Sequence, residues 1–182
     1  MKLFSVIAFL MLVLSGRVAA LAADFGGLDL RPLLMVRESK KMTFGVGPVN
    51  GTIEEEHNLF VTRGGATVLD LVTRKDLGEW QTQILQGVGT DAEIASLTQA
   101  LSNSKIGRLQ SCSKLVAEGL EVRYEITWFG WSNRTSKAIS IIYSPEPAPG
   151  SVPCPSGADT LIQGIGAYER DFAANPDTSI DK

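Results

Sequence analysis

The stretch Glu121–Ser144, EVRYEITWFGWSNRTSKAISIIYS, is the part of the sequence that most directly predicts the fold. In its first half, apolar residues alternate strictly with polar ones from Val122 to Trp128. This period of two is typical of a strand with one buried and one solvent-facing side. The second half, Lys137–Tyr143, is rich in β-branched residues and ends before Pro145, which cannot extend a strand ladder. With the turn-like GWSNRT segment between them, the two halves predict an antiparallel hairpin in the middle of a core sheet.

Further elements are predicted before and after this hairpin. Leu59–Arg63 and Ala66–Thr73 have the composition of strands, and Glu79–Gln86 fits a third strand better than a short helix. Thr90 to Glu93 forms a capping box that starts a first helix, and a second helix is predicted to begin near Ser156. The sequence therefore predicts an α+β fold with an antiparallel sheet of four to five strands. Two helices pack on one face of that sheet, and the order strand-strand-helix occurs twice.

The first 22 residues predict a signal peptide. Lys2 precedes the apolar run Leu3–Leu14, and Ala20-Leu21-Ala22 supplies small residues at the −3 and −1 positions of a cleavage site. The apolar run is too short for a membrane span, which needs roughly 20 residues. We therefore expect an exported protein, secreted or periplasmic if bacterial, and not an integral membrane protein. The remaining chain is predicted to comprise an N-terminal extension lying on the domain (23–56), the α+β domain (57–174) and a polar tail (175–182).

The charge of the chain limits the classes of partner. The whole sequence carries 17 basic and 20 acidic residues, a net charge of −3. Loss of Lys2 and Arg17 with the signal peptide leaves 15 basic and 20 acidic residues, a net charge of −5. A mildly acidic protein without a basic block is not expected to bind nucleic acid or an anionic membrane.

The two cysteines and two asparagines are candidates for covalent modification. In an oxidising compartment, Cys112 and Cys154 most simply form one disulfide. The alternative is a reactive thiol at Cys154, which precedes a predicted helix start. Asn50 and Asn133 each begin an Asn-X-Thr sequon and could accept glycans in a eukaryote.

His57 is the residue on which a catalytic or metal site would depend, because the chain has one histidine. It follows Glu54–Glu56 and is predicted to lie in a solvated loop, where a lone imidazole lacks the three or four ligands that zinc prefers. The sequence has no nucleophile-elbow motif and no complete phosphate-binding glycine loop. We therefore predict no catalytic residue, no cofactor and no metal, and expect that the protein is not an enzyme. A small secreted hydrolase that uses His57 is the alternative.

Aromatic residues flank the predicted hairpin turn. Trp128, Phe129 and Trp131 lie close together, and strict alternation cannot bury all three. Amphipathic aromatic side chains on a rigid turn are good anchors for a protein partner. In the alternative interpretation, Trp128 belongs to the core and Trp131 folds back over a helix. The pattern predicts a non-catalytic protein-binding domain, with a structural or self-assembling secreted or envelope component as the alternative.

The order of elements between Leu59 and Phe172 also resembles a known family. A strand runs into Arg63-Gly64-Gly65, and a KIGRL segment follows the first helix and precedes the LEVRYEITW strand. This arrangement resembles the small bacterial emfourin-like domains, which inhibit thermolysin-type metallopeptidases. The Pro-rich connector Ser144–Pro155, the disulfide and the N-terminal extension depart from the compact pattern of that family. The resemblance implies a peptidase inhibitor whose turn from Arg63 to Ala66 belongs to the peptidase-facing surface.

Overall fold

The strand Pro32–Val46 (β1) lies at the centre of a seven-stranded sheet in the computed structural model of the protein. The structure describes residues 28–46, 49–76, 78–130, 135–146 and 150–175. The strands are β1 (Pro32–Val46), β2 (Val49–Thr62), β3 (Ala66–Lys75), β4 (Gln81–Val88), β5 (Cys112–Leu115), β6 (Leu120–Phe129) and β7 (Ser136–Ser144). The helices are α1 (Asp91–Asn103) and α2 (Ser156–Ala174), with a short 3-10 helix at Ile106–Arg108. The sheet order is β4-β3-β2-β1-β6-β7-β5, and its neighbours are antiparallel except β5 and β7, which are parallel.

This sheet corrects the predicted fold class in size and in strand direction. We expected four to five antiparallel strands, whereas the sheet has seven strands and is mixed. The additional strands are β1 and β5. The segment 23–56, which we expected to lie on the domain as an extension, supplies β1 and extends the predicted strand at Leu59–Arg63 into the longer β2. The hairpin of β6 and β7 forms as an antiparallel pair, but it lies beside β1 and not in the middle of the sheet.

Strand β1 was not predicted from the sequence because charged residues occupy part of its core-facing side. Leu34 and Val36 face the core, but the next two positions on the same side are Glu38 and Lys40. On the neighbouring strand, Glu55 pairs with Lys40, and the two charged atoms lie 2.9 Å apart. These inward-facing charges interrupt the apolar period of two on which a strand prediction depends. The first half of β1 alone shows the expected pattern.

Helix α1 begins at the predicted capping box. The hydroxyl of Thr90 accepts a hydrogen bond from the amide of Glu93 at 3.3 Å, and the carboxylate of Glu93 accepts one from the amide of Thr90 at 2.7 Å. Helix α2 approaches α1 very closely at Gly164, where an added Cβ would lie 2.2 Å from the Cβ of Ala100. Glycine is therefore required at this position by the packing of one helix against the other.

The core lies between the two helices and one face of the sheet. Burial of large aliphatic and aromatic side chains contributes about 1.5–3 kcal/mol each and holds the helices in place. The sheet contributes Leu34, Val36, Leu59, Val61, Leu69, Ile126, Ile139 and Ile141, and the helices contribute Leu97, Leu101, Leu161, Ile165, Tyr168 and Phe172. On the opposite face, Arg37 pairs with Glu56 and Arg74 pairs with Glu54.

The predicted disulfide between Cys112 and Cys154 is confirmed, with the two sulfur atoms 2.11 Å apart. It joins β5 to the segment that precedes α2. Next to the bridge, the amide of Cys154 donates a 3.1 Å hydrogen bond to the carbonyl of Ser113. The Pro-rich connector is thereby attached to the last strand of the sheet. Among the described residues, no helix has the length and apolar character needed to cross a membrane.

Candidate functional site

Two of the turns predicted to contact a partner lie together at one end of the sheet. The predicted residues are Arg63, Gly64, Gly65, Trp128, Phe129 and Trp131, of which Trp131 lies outside the described residues. The first three form the turn between β2 and β3, and the two described aromatic residues end β6. A guanidinium nitrogen of Arg63 donates a 2.6 Å hydrogen bond to the carbonyl oxygen of Gly130. This bond connects the β2–β3 turn to the end of β6.

The β2–β3 turn is braced by the segment that precedes β1. The amide of Arg63 donates to the carbonyl of Arg31 at 2.9 Å, and the amide of Gly64 donates to the carbonyl of Asp29 at 2.8 Å. An added Cβ at Gly64 would lie 2.6 Å from the amide nitrogen of Asp29, so a side chain does not fit there. Gly65 has a φ of +88°, a conformation that glycine adopts without strain. The turn is therefore a rigid part of the sheet end.

Trp128 and Phe129 do not share one surface. Consecutive residues of a strand face opposite sides of the sheet. Trp128 is half-buried on the helix side, where it packs against the core. Its indole N–H is buried and has no hydrogen-bond acceptor within the described part of the chain. Phe129 is half-buried on the opposite side. Of these two residues, Trp128 is therefore the one that faces the helices.

An open pocket of about 220 Å³ lies between Trp128 and the end of α1. Its lining residues are Leu101, Ser102, Lys105, Ile106, Gly107, Arg108 and Trp128. Two of them, Lys105 and Arg108, are exposed cations, whereas Leu101 and Ile106 belong to the apolar core. Apolar walls with a few polar groups at the rim are typical of ligand-binding pockets. This pocket suits an apolar side chain that has a carboxylate beside it.

A second cluster, which the sequence did not predict, consists of Glu38, His57 and Glu169. His57 lies on β2 and not in a loop, and it is the direct cross-strand partner of Glu38 on β1. Its Nδ1 atom is 3.9 Å from a carboxylate oxygen of Glu38 and 3.6 Å from one of Glu169 on α2. One ligand atom from each of the three residues lies within 4.8 Å of the other two. We call these three residues the Glu-His-Glu cluster.

The Glu-His-Glu cluster is largely removed from water. The exposed fractions of the side chains are 10% for Glu169, 15% for Glu38 and 29% for His57. The hydroxyl of Tyr124 on β6 donates a 3.2 Å hydrogen bond to Glu38. The Oε1 atom of Glu169 and the Nδ1 atom of His57 are buried and have no hydrogen-bond partner among the described residues. The cluster thus contains buried polar atoms whose bonding capacity is not used within the chain.

The electrostatic environment favours a positive charge between the two carboxylates. Burial raises the pKa of Glu38, and the nearby charge of Glu169 raises it further. The carboxylate of Glu169, which would accept the proton of a charged imidazole, raises the pKa of His57 despite the opposing effect of burial. At 3.6 Å this contact is longer than an ordinary hydrogen bond, so we describe it as a charge attraction. The cluster can hold a proton or a metal cation.

The same geometry bears on the alternative of a hydrolase that uses His57. In the described part of the chain, the ring of His57 contacts carboxylates and makes no hydrogen bond to a serine, threonine or cysteine. A nucleophile activated by histidine requires such a contact. The described arrangement therefore resembles a cation site more closely than a nucleophile and its base.

Of the two sequons, Asn133 lies outside the described residues and Asn50 lies in β2, where only the backbone is described.

No protein-family model matches the chain, and no curated protein matches it. The resemblance to emfourin-like domains therefore stays a prediction.

Proposed function

We propose that this chain is an exported, non-catalytic protein-binding domain, with inhibition of a peptidase as the most specific form of that function. The observation that best supports the proposal is the pocket beside Trp128. It lies at the end of the sheet where Arg63 connects the β2–β3 turn to the end of β6. An apolar pocket next to the rigid β2–β3 turn offers a partner one anchoring position and a fixed surface beside it.

The charges of the pocket define the partner segment that would fit. Lys105 and Arg108 place two exposed positive charges beside Trp128, although the whole chain is acidic with a net charge of −3. A local positive rim attracts acidic groups and speeds their association. The partner segment would therefore insert an apolar side chain and place a carboxylate near the two cations.

Export is the second part of the proposal. The predicted signal peptide over residues 1–22 supports it, and so does the Cys112–Cys154 bridge, because disulfides persist in oxidising compartments. The likeness of element order to emfourin-like domains supports a peptidase as the partner.

The test is a differential capture experiment with a charge-reversal variant. The chain without its signal peptide is immobilised as wild type, as Arg108→Glu and as Arg123→Glu, and each is exposed to the native extracellular fluid. Arg123 is a matched control because it is an exposed arginine on β6, on the sheet face opposite the helices. We expect one protein to be retained in a stoichiometric amount by the wild type and Arg123→Glu and to be lost from Arg108→Glu. Bound proteins are identified by mass spectrometry.

Peptidase inhibition is then measured directly with purified thermolysin and a peptide substrate. Inhibition by the wild type and Arg123→Glu, with loss of inhibition in Arg108→Glu, supports both parts of the proposal. Retention of the same proteins by all three chains refutes the role of the pocket. Capture of nothing except the chain itself refutes the proposal and favours the structural or self-assembling alternative.

A further inference from the structure

We propose that Glu38, His57 and Glu169 form a binding site for a first-row divalent metal cation, and that Zn²⁺ is the ion that this set of ligands fits best. The proposal does not depend on the protein-binding function. The proposed metal site is the Glu-His-Glu cluster on the helix-covered face of the sheet, and it is separate from the pocket beside Trp128. Each ligand comes from a different element, β1, β2 and α2, so the site is held by the fold.

The two distances from His57 to the carboxylates are close to those of tetrahedral coordination, and all three ligand atoms lie within 4.8 Å of one another. Zn²⁺ binds imidazole nitrogen and carboxylate oxygen at about 2.0–2.2 Å, so two ligands of a tetrahedral ion lie about 3.4 Å apart. The Nδ1 atom of His57 lies 3.6 Å and 3.9 Å from the nearest oxygens of Glu169 and Glu38. Octahedral coordination at similar bond lengths would need neighbouring ligands about 3.0 Å apart, which fits less well. Three protein ligands would leave a fourth position for water.

Two residues of the cluster carry buried atoms with unused bonding capacity, and the other carboxylate oxygen of Glu169, Oε2, is the one that lies 3.6 Å from Nδ1 of His57. Glu169 is a buried residue, and its Oε1 atom has no hydrogen-bond partner among the described residues. The Nδ1 atom of His57 is also buried and has no hydrogen-bond partner among the described residues. A proton on Nδ1 of His57 can form a hydrogen bond to the carboxylate of either Glu38 or Glu169, but not to both. The negative charge of the other carboxylate would then have no partner within the cluster. A divalent cation would bind the nitrogen and an oxygen from each carboxylate together, and it would balance both negative charges.

A second layer of residues orients Glu38. The hydroxyl of Tyr124 donates to Oε1 of Glu38, which leaves Oε2 as the atom nearest His57. The ring of Tyr124 packs edge-on against Tyr143, whose hydroxyl donates a 2.9 Å hydrogen bond to Asp159. Outer residues of this kind orient metal ligands, and their loss typically weakens metal binding about 10- to 100-fold. Tyr124 is therefore a positioning residue for the proposed site.

The adjacent row of the same sheet face carries the cation Lys40, which is paired with Glu55 and also acts on Glu38 through space. Lys40 is the basic residue of β1 that lies on this face, two positions after Glu38, and its ammonium group lies 2.9 Å from Glu55. That ion pair balances its own charges beside the cluster. Among the described residues, the imidazole of His57 is the positive partner that lies within 4 Å of both carboxylates, Glu38 and Glu169.

The experiment measures zinc binding by the purified chain with its disulfide intact. Zn²⁺ is titrated in competition with a chromogenic chelator, and the bound metal is counted by elemental analysis after dialysis. The variants are Glu38→Gln, Glu169→Gln and Tyr124→Phe. Glu56→Gln is the matched control, because Glu56 is next to His57 in sequence but pairs with Arg37 on the opposite sheet face.

We expect the wild type and Glu56→Gln to bind one Zn²⁺ per chain. Glu38→Gln and Glu169→Gln should weaken binding by at least about tenfold, which corresponds to about 1.4 kcal/mol. Tyr124→Phe should weaken it about 10- to 100-fold. Because the chain has one histidine, its imidazole ¹⁵N signals report zinc binding at His57 without ambiguity. The Nδ1 signal should shift on addition of one equivalent.

Three results would overturn the proposal. The first is the absence of saturable zinc binding by the wild type. The second is an equal loss in Glu56→Gln and Glu169→Gln, which would indicate nonspecific binding to surface carboxylates. The third is unchanged binding in both Glu38→Gln and Glu169→Gln. Circular dichroism of each variant without metal shows whether it is folded, and two independent ligand variants keep the test valid if one of them does not fold.

Discussion

Substitution of Gly164 by alanine tests the packing of α2 on α1. In an ordinary helix interior, replacing glycine by alanine stabilises the helix by up to about 1 kcal/mol. At this position the new Cβ would lie 2.2 Å from the Cβ of Ala100, whereas carbon atoms in contact are about 3.5–4.0 Å apart. The Cβ of Ala100 is fixed to its own backbone and cannot rotate away. The two helices must therefore shift by more than about 1 Å.

Such overpacking typically costs about 1–3 kcal/mol. After subtraction of the gain in helix propensity, we expect Gly164→Ala to lower the free energy of unfolding by about 1–2 kcal/mol. Gly166→Ala is the matched control, because its new Cβ would have the end of the flexible Arg170 side chain as its nearest neighbour, at 3.5 Å. We expect this control to raise the stability by about 0.5–1 kcal/mol.

The assay is urea unfolding followed by circular dichroism, with the disulfide intact in every variant. The double variant Ala100→Gly/Gly164→Ala and the two single variants form a double-mutant cycle. If removal of the Ala100 methyl group relieves the clash, the double variant is more stable than the sum of the two single effects predicts. The reasoning is refuted if Gly164→Ala is as stable as Gly166→Ala. It is also refuted if the cycle shows no coupling between positions 100 and 164.

Three further predictions concern other contacts. Replacement of both cysteines by serine should lower the free energy of unfolding by about 4 kcal/mol in the chain-entropy model, because the bridge spans a sequence separation of 42; equal urea midpoints would contradict this. A hydrogen bond from Lys114, and to a smaller extent one from Tyr143, lowers the pKa of Asp159 in the folded protein. The ionised carboxylate therefore stabilises the fold at pH values above its unfolded pKa of 3.8, and this contribution is lost as the pH falls through the lower pKa of the folded state. The stability difference between wild type and Asp159→Asn should therefore be less than about 1 kcal/mol near pH 7 and should shrink toward pH 2 in acid titrations of unfolding. Thr67→Val should lower the free energy of unfolding by about 1–3 kcal/mol, because valine leaves the buried hydroxyl of Tyr168 without its 2.6 Å partner. Tyr168→Phe should lower it by only about 1 kcal/mol, because Thr67 keeps its hydrogen bond to the carbonyl of Gly65. Thermal unfolding of both variants measures this order.

Local signals in the sequence predicted the elements that are stabilised locally. The capping box at Thr90 gave the start of α1, and the alternation after Glu121 gave β6. Strand β5 could not be found in this way, because its four residues form a strand through parallel pairing with the distant β7. Strand β1 was missed because Glu38 and Lys40 occupy apolar positions of its pattern.

The candidate sites were predictable to different degrees. Trp128 was predicted as a candidate for partner contact, but Lys105 and Arg108 approach it only after α1 and the 3-10 helix have formed. The Glu-His-Glu cluster is assembled from three elements that no local pattern connects. A signal for it does exist in the sequence. Glu38 interrupts the buried face of β1, and Glu169 lies within the buried stripe of α2, so both are charged residues at positions that normally belong to the core.

The central place of β1 determines when the chain can fold during its synthesis. β1 begins at Pro32, whereas its neighbour β6 does not begin until Leu120. Until β6 has left the ribosome, β1 can pair on one side only and its other row of backbone groups has no strand beside it. Contacts between such distant segments also form slowly. A nascent chain with this topology therefore cannot complete its central sheet until the sequence through β6, about two thirds of the chain, has been made.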